Sequence, residues 1–116
     1  MSVLRLNEFK ALPGQFEALA KHFEAIVAQI RTIDGNQSCE LLLKMADGAS
    51  DDEVLVVIET WESLDHHKAA VSAIDPAQLA AVMALLDGPP KGRYYTPLEQ
   101  RAFNLTYKLN ARCGKT

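Results

Sequence analysis

The chain is 116 residues long with a mass of 12.8 kDa, enough for one hydrophobic core and too little for two. It is 48% hydrophobic and 23% charged, a balance that folds rather than staying disordered. Twelve Lys and Arg against fifteen Asp and Glu leave a net charge of -3, too small and too mixed in sign to hold nucleic acid or an anionic membrane surface. Cys39 and Cys113 share no ligand or redox spacing. The first thirty residues lack a signal-peptide pattern, and no run reaches the roughly twenty apolar residues of a membrane span. A soluble, cytoplasmic protein with reduced thiols is the expectation.

In chain order, Val3 to Lys10 alternates, with Val3, Arg5, Asn7 and Phe9 on one face and Leu4, Leu6 and Glu8 on the other, the period of a strand. Leu12-Pro13-Gly14 breaks the pattern. Phe16, Leu19, Ala20, Phe23, Ile26, Val27 and Ile30 then recur at spacings of three and four, one apolar stripe on a helix of about five turns. Asp34-Gly35-Asn36 stops it, because glycine takes the left-handed conformation that ends helices. A second strand is expected over Ser38 to Met45, then an acidic, Gly-containing turn from Ala46 to Glu53, then a third strand from Val54 to Trp61 whose aliphatic run suggests cover on both faces. Ser63 is placed to cap a short helix through Ile74, and Asp75-Pro76 to start another bearing Leu79, Val82, Met83 and Leu86. Gly88-Pro89-Pro90 ends it, and Gly92 to Thr96 makes a last strand with Tyr94 and Tyr95. Phe103, Leu105, Tyr107 and Leu109 alternate with polar residues, a strand-like tail without an evident partner in the chain.

This order predicts an α+β fold: a ferredoxin-like βαββαβ antiparallel sheet with helices on one face and the second helix split in two. The bare sheet face then needs cover, and a two-fold copy supplies it, giving a homodimer. Residues 1–96 would form the domain, and 97–116 an extension packing on the partner subunit.

Pro13-Gly14, Gly35 followed by Glu40-Leu41, and the block Glu59 to Ala70 (ETWESLDHHKAA) resemble the antibiotic biosynthesis monooxygenase (ABM) family over about residues 3 to 96. Glu59-x-Trp61-x-Ser63 with His67 six places after the tryptophan carries most of the likeness. Many members have Cys where this chain has Asn36, an aromatic at Cys39, and the helix histidine at Ala70. The resemblance implies a dimeric α+β barrel that inserts oxygen into phenols, quinols or anthrones, without flavin, haem or metal. Such a substrate, once deprotonated, donates an electron to O₂ itself, so the protein need only bind it, take its proton, steady the anion and exclude water.

Against that requirement, His67 shares a helix face with Leu64, Val71 and Ile74, pointing toward the sheet, and the positive helix end keeps its imidazole neutral. It is the candidate base. Asn7, mid-strand beside Arg5 and Phe9, is the candidate anion stabiliser, since Asn is depleted in strands and its amide can donate. Trp61 is a candidate pocket wall, as are Arg5, Phe9 and, alternating on the last strand, Tyr94 and Tyr95. Plain packing remains open for each. His66 and His67 fall on different helix faces with no ligand spacing, so no metal is expected; the resemblance implies no other cofactor, and a small aromatic substrate and O₂ as partners. A non-catalytic ligand-binding or stress-response dimer of the same fold is the alternative. Haem-degrading relatives share an Asn on the first strand but use a Trp and a His in the second helical region, and Ala70 to Leu86 contains neither.

Overall fold

The computed structural model describes residues 2–45 and 53–99. The expected tail strand at 103–110, its packing on a second subunit, most of the acidic turn and Cys113 lie outside the described residues. Among the described residues, four strands, β1 (Val3–Lys10), β2 (Asn36–Leu43), β3 (Val54–Trp61) and β4 (Lys91–Tyr95), and three helices, α1 (Phe16–Ile30), α2 (Leu64–Val71) and α3 (Pro76–Met83), follow in the order β1-α1-β2-β3-α2-α3-β4. The sheet runs β2-β3-β1-β4 with every neighbour antiparallel. This is the expected ferredoxin-like α+β arrangement, with the second helix split.

Register decides which side chains meet. Arg5 lies opposite Glu59 on one side and Tyr94 on the other, while Asn7 lies opposite Val57 and Gly92. Side chains alternate across a strand, so Arg5, Asn7, Phe9, Val57, Glu59, Trp61, Cys39 and Tyr94 share the face that meets the helices. The core joins Phe9, Cys39, Leu55, Val57 and Trp61 to Leu19, Phe23, Ile26, Val27 and Ile30 of α1. Trp61, Leu19, Ile26, Val57 and Val82 are fully buried, each aliphatic contributing on the order of 2 kcal/mol of hydrophobic stabilisation. The opposite face presents Leu4, Leu6, Leu42, Val56, Ile58 and Tyr95, and an ion pair from Lys44 to Glu8 at 3.2 Å crosses β3 at its rim.

The helices are shorter than their stripes suggest. α1 has 15 residues, about four turns rather than five. α2 stops at Val71, its last turn tightened by Ser72 N–H to Ala69 O (3.2 Å) and Ala73 N–H to Ala70 O (2.9 Å), because Asp75 before Pro76 resists the helical conformation. Asp75 instead caps α3, accepting from the Ala77 N–H at 2.9 Å, and Ser63 caps α2 through the His66 N–H at 3.2 Å. α3 ends at Met83, and Leu86 leaves the helix to bridge Ala11 and become buried. β2 begins at Asn36, ahead of the expected start, with an irregularity before Ser38. Gly35 has φ +87° and its carbonyl accepts from the Glu62 N–H at 2.8 Å; a Cβ there would overlap the His66 ring. That glycine lets α2 pack close to the start of β2.

Candidate active site

Between the sheet and the helices lies a cavity of about 130 Å³. Its floor is β1 and β3, through Asn7, Phe9, Val57, Glu59 and Trp61, and its walls are α1, α2 and α3. Val71 and Met83, half exposed, form an apolar rim between α2 and α3. The lining is apolar apart from one cluster, at which Asn7, Glu59, Trp61 and His67 converge.

That cluster follows from the strand period. Glu59 and Trp61 are two apart on β3, so they face the same way, and Trp61 Nε1 donates to Glu59 Oε1 at 2.8 Å. Glu59 is only 6% exposed. Burial pushes its carboxyl above the usual carboxylate range, while the Trp61 bond, the Arg5 charge and a hydrogen bond with Asn7 pull it back. Arg5 Nε donates to Asn7 Oδ1 at 3.2 Å, which fixes the amide orientation and leaves the Asn7 NH₂ as donor. Gly92 is what permits this, since a Cβ there would run into the Arg5 guanidinium and the Asn7 amide.

His67 enters from α2 and is 7% exposed. Its Nδ1 stands 2.7 Å from the Tyr94 hydroxyl, and its ring meets Trp61 and Tyr94 edge-on at 5.8 and 5.3 Å. Burial first, then the Arg5 charge, holds its pKa below the ordinary histidine value. Arg5 in turn sits over the Tyr94 ring, 4.5 Å from its centre, an arrangement that favours the cation and steadies the ring. His67, Tyr94, Arg5, Asn7, Glu59 and Trp61 therefore form a closed circuit of contacts at the polar end of an apolar cavity.

Of the residues expected from sequence, His67, Asn7, Trp61 and Phe9 line the cavity, and Phe9 packs on Phe23 with centroids 4.5 Å apart. Arg5 and Tyr94 stand behind them and support them. Tyr95 does not join: it pairs with Leu4 in the register and so faces the opposite side of the sheet. Glu59 was missed as a site residue, although its place on the core face beside Val57 and Trp61 was the signal, a carboxylate among buried positions. His66 lies outside the cavity, with Ser63 Oγ 2.6 Å from its Nδ1 and Asp34 and Glu62 each 3.8 Å from its Nε2. Among the described residues no group of three or more His, Cys, Asp or Glu is placed to hold a metal ion, and no helix is long and apolar enough to cross a membrane.

No curated protein matches the chain. Among solved structures, Rv0793 from Mycobacterium tuberculosis is similar at 25% identity and TM-score 0.67, over 84% of this chain and 95% of that one. A variant of SnoaB from Streptomyces nogalater, described as a cofactor-independent oxygenase, matches at 21% identity and TM-score 0.67, over 83% and 92%. A conserved protein from Methanosarcina mazei matches at 10% identity and TM-score 0.71, over 82% and 91%. The profile of the family described as antibiotic biosynthesis monooxygenase matches residues 2–83. With the match covering residues 2–83 and the fold shared with these structures, the chain belongs to the antibiotic biosynthesis monooxygenase family.

Proposed function

We propose that the chain is a cofactor-independent monooxygenase acting on a quinol- or anthrone-type aromatic. The observation that carries this reading is the convergence of His67, Asn7 and the Trp61–Glu59 pair on one end of an otherwise apolar cavity. A substrate hydroxyl at that end meets a neutral imidazole able to take its proton and an amide N–H donor able to hold the resulting oxyanion. Trp61 flanks the ring. The anion gives an electron to O₂, the two radicals recombine, and breakdown of the peroxide releases water, so all the electrons come from substrate. About 130 Å³ compares with the roughly 150 Å³ cavity that holds benzene in an engineered core. One ring therefore fits inside, and any further ring extends past Val71 and Met83.

The reading extends to a homodimer formed through the sheet face of Leu4, Leu6, Val56 and Ile58, which leaves the helix-side cavity of each copy open. SnoaB supports the choice of reaction class, as an oxygenase of this fold described as cofactor-independent. Aerobic incubation with a panel of quinols and anthrones tests it: protein-dependent O₂ uptake is expected, and none across the panel would refute it.

A further inference from the structure

We propose that Tyr94 is the outlet of a proton relay that runs from the cavity through both nitrogens of His67 to solvent. The inference rests on His67 being the base of the proposed reaction. His67 Nδ1 is committed to the Tyr94 hydroxyl at 2.7 Å, which leaves Nε2 for the cavity that the residue lines. His67 is 7% exposed, whereas Tyr94 is 43% exposed, so the pair spans from buried cavity to surface. Tyr94 lies on the helix side of β4, away from the face through which a second copy would pack.

A relay answers a difficulty that His67 alone does not. Burial and Arg5 both disfavour the imidazolium, so a histidine that must keep the substrate proton is a poor base here. Among the described residues the charged groups around it are Arg5, reached across Tyr94, and Glu59 on the same cavity floor. In the resting state Nδ1 carries the proton and donates to the Tyr94 oxygen. The substrate O–H bond breaks and its proton bonds to Nε2. The Nδ1 proton passes to the Tyr94 oxygen, and the phenolic proton of Tyr94 leaves to water. The ring ends neutral, with its tautomer reversed, and no imidazolium persists. The Arg5 guanidinium, 4.5 Å from the centre of the Tyr94 ring, lowers the cost of the negative charge that builds on the phenol oxygen as its proton departs. Tyr94 then donates back to Nδ1 while Nε2 returns its proton to the product, and water returns a proton to Tyr94 through the reverse path.

Tyr94→Phe tests this with little risk to folding, since it keeps the ring under Arg5. The ¹⁵N spectrum of histidine-labelled protein is expected to show the His67 proton on Nδ1 in the wild type and on Nε2 in Tyr94→Phe. A wild-type ring protonated on Nε2, or a tautomer unchanged by the substitution, would overturn the relay. In turnover, Tyr94→Phe is expected to lower kcat about tenfold with KM within about twofold, and to turn a curved dependence of rate on D₂O fraction into a straight one. An unchanged kcat and unchanged curvature would likewise overturn it. The tautomer is read without substrate, so failure of the oxygenase reading and failure of the relay are separate results.

Discussion

Trp61 Nε1 donates to Glu59 Oε1 at 2.8 Å, and the two residues lie two places apart on the cavity face of β3. The bond is a compromise. It satisfies a buried indole N–H, yet it does so with a carboxylate whose burial favours the protonated form. A carboxyl held above its ordinary pKa binds protons better in the folded state. Its contribution to stability is therefore full below about pH 4.5 and is lost as pH rises through the raised value. Glu59→Gln keeps an acceptor for Trp61 and removes the charge, so its Tm at pH 7 should equal or exceed that of the wild type, with the gap closing toward pH 4. Glu59→Ala leaves the indole N–H unpaired and should cost about 1–3 kcal/mol. Equal destabilisation by both substitutions at pH 7, measured by thermal unfolding, would contradict this account.

His67 titrates in the opposite sense. Its folded pKa lies below the ordinary 6.5, so the stability linked to its neutral form is present above that pH and is lost as pH falls through the depressed value. The acid limb of kcat/KM should show the same group, with its inflection below 6.5. An NMR titration of His67 with its inflection above 6.5 would contradict the depressed value, and a rate inflection that departs from His67's own titration would mean that another group is the titrating base.

Gly92 has no side chain because Arg5 and Asn7 occupy the space a Cβ would need. Gly92→Ala should force the Arg5–Asn7 pair apart at a cost of about 1–3 kcal/mol and lower turnover through the displaced amide. Asn7→Ala should lower kcat by about 100-fold with the cavity otherwise intact. Circular dichroism with steady-state kinetics reads both effects: each substitution should lower Tm by breaking the Arg5–Asn7 pair, and Asn7→Ala, which removes the amide itself, should show the larger loss of kcat.

The fold was legible because its signals are local and redundant. The α1 stripe, the β3 aliphatic run, the Ser63 cap and the Asp75-Pro76 start each point to one element, and the structure has all four. Element ends were less legible: Leu86 continues the α3 stripe in sequence, yet its partner is Ala11, seventy-five positions away (86 − 11). Site residues on one strand face were readable from period two, which gathered Arg5, Asn7 and Phe9. Register between strands was not, so the meeting of Arg5 with Tyr94 and the exclusion of Tyr95 waited on the pairing of β1 with β4. Glu59 was hidden for a different reason, since an acid in a motif reads as surface charge until its strand neighbours are known to be buried.

The apolar outer face gives a prediction independent of the chemistry. Leu4, Leu6 and Ile58 keep part of their surface uncovered on that face, so Leu6→Lys or Ile58→Lys should convert the proposed homodimer to monomer by introducing charge into its interface. Light scattering after size exclusion reads the mass directly. A wild type that is already monomeric at micromolar concentration would remove the dimer from the account.

The most direct test of the central claim is O₂ uptake by wild type and His67→Ala, with and without added imidazole, on a quinol or anthrone that the wild type turns over. The account predicts a loss of at least about tenfold in the variant, with partial recovery when imidazole enters the space that the missing ring leaves. An unchanged rate in His67→Ala would contradict it, because the proton would then be leaving by a route that does not use this cavity wall.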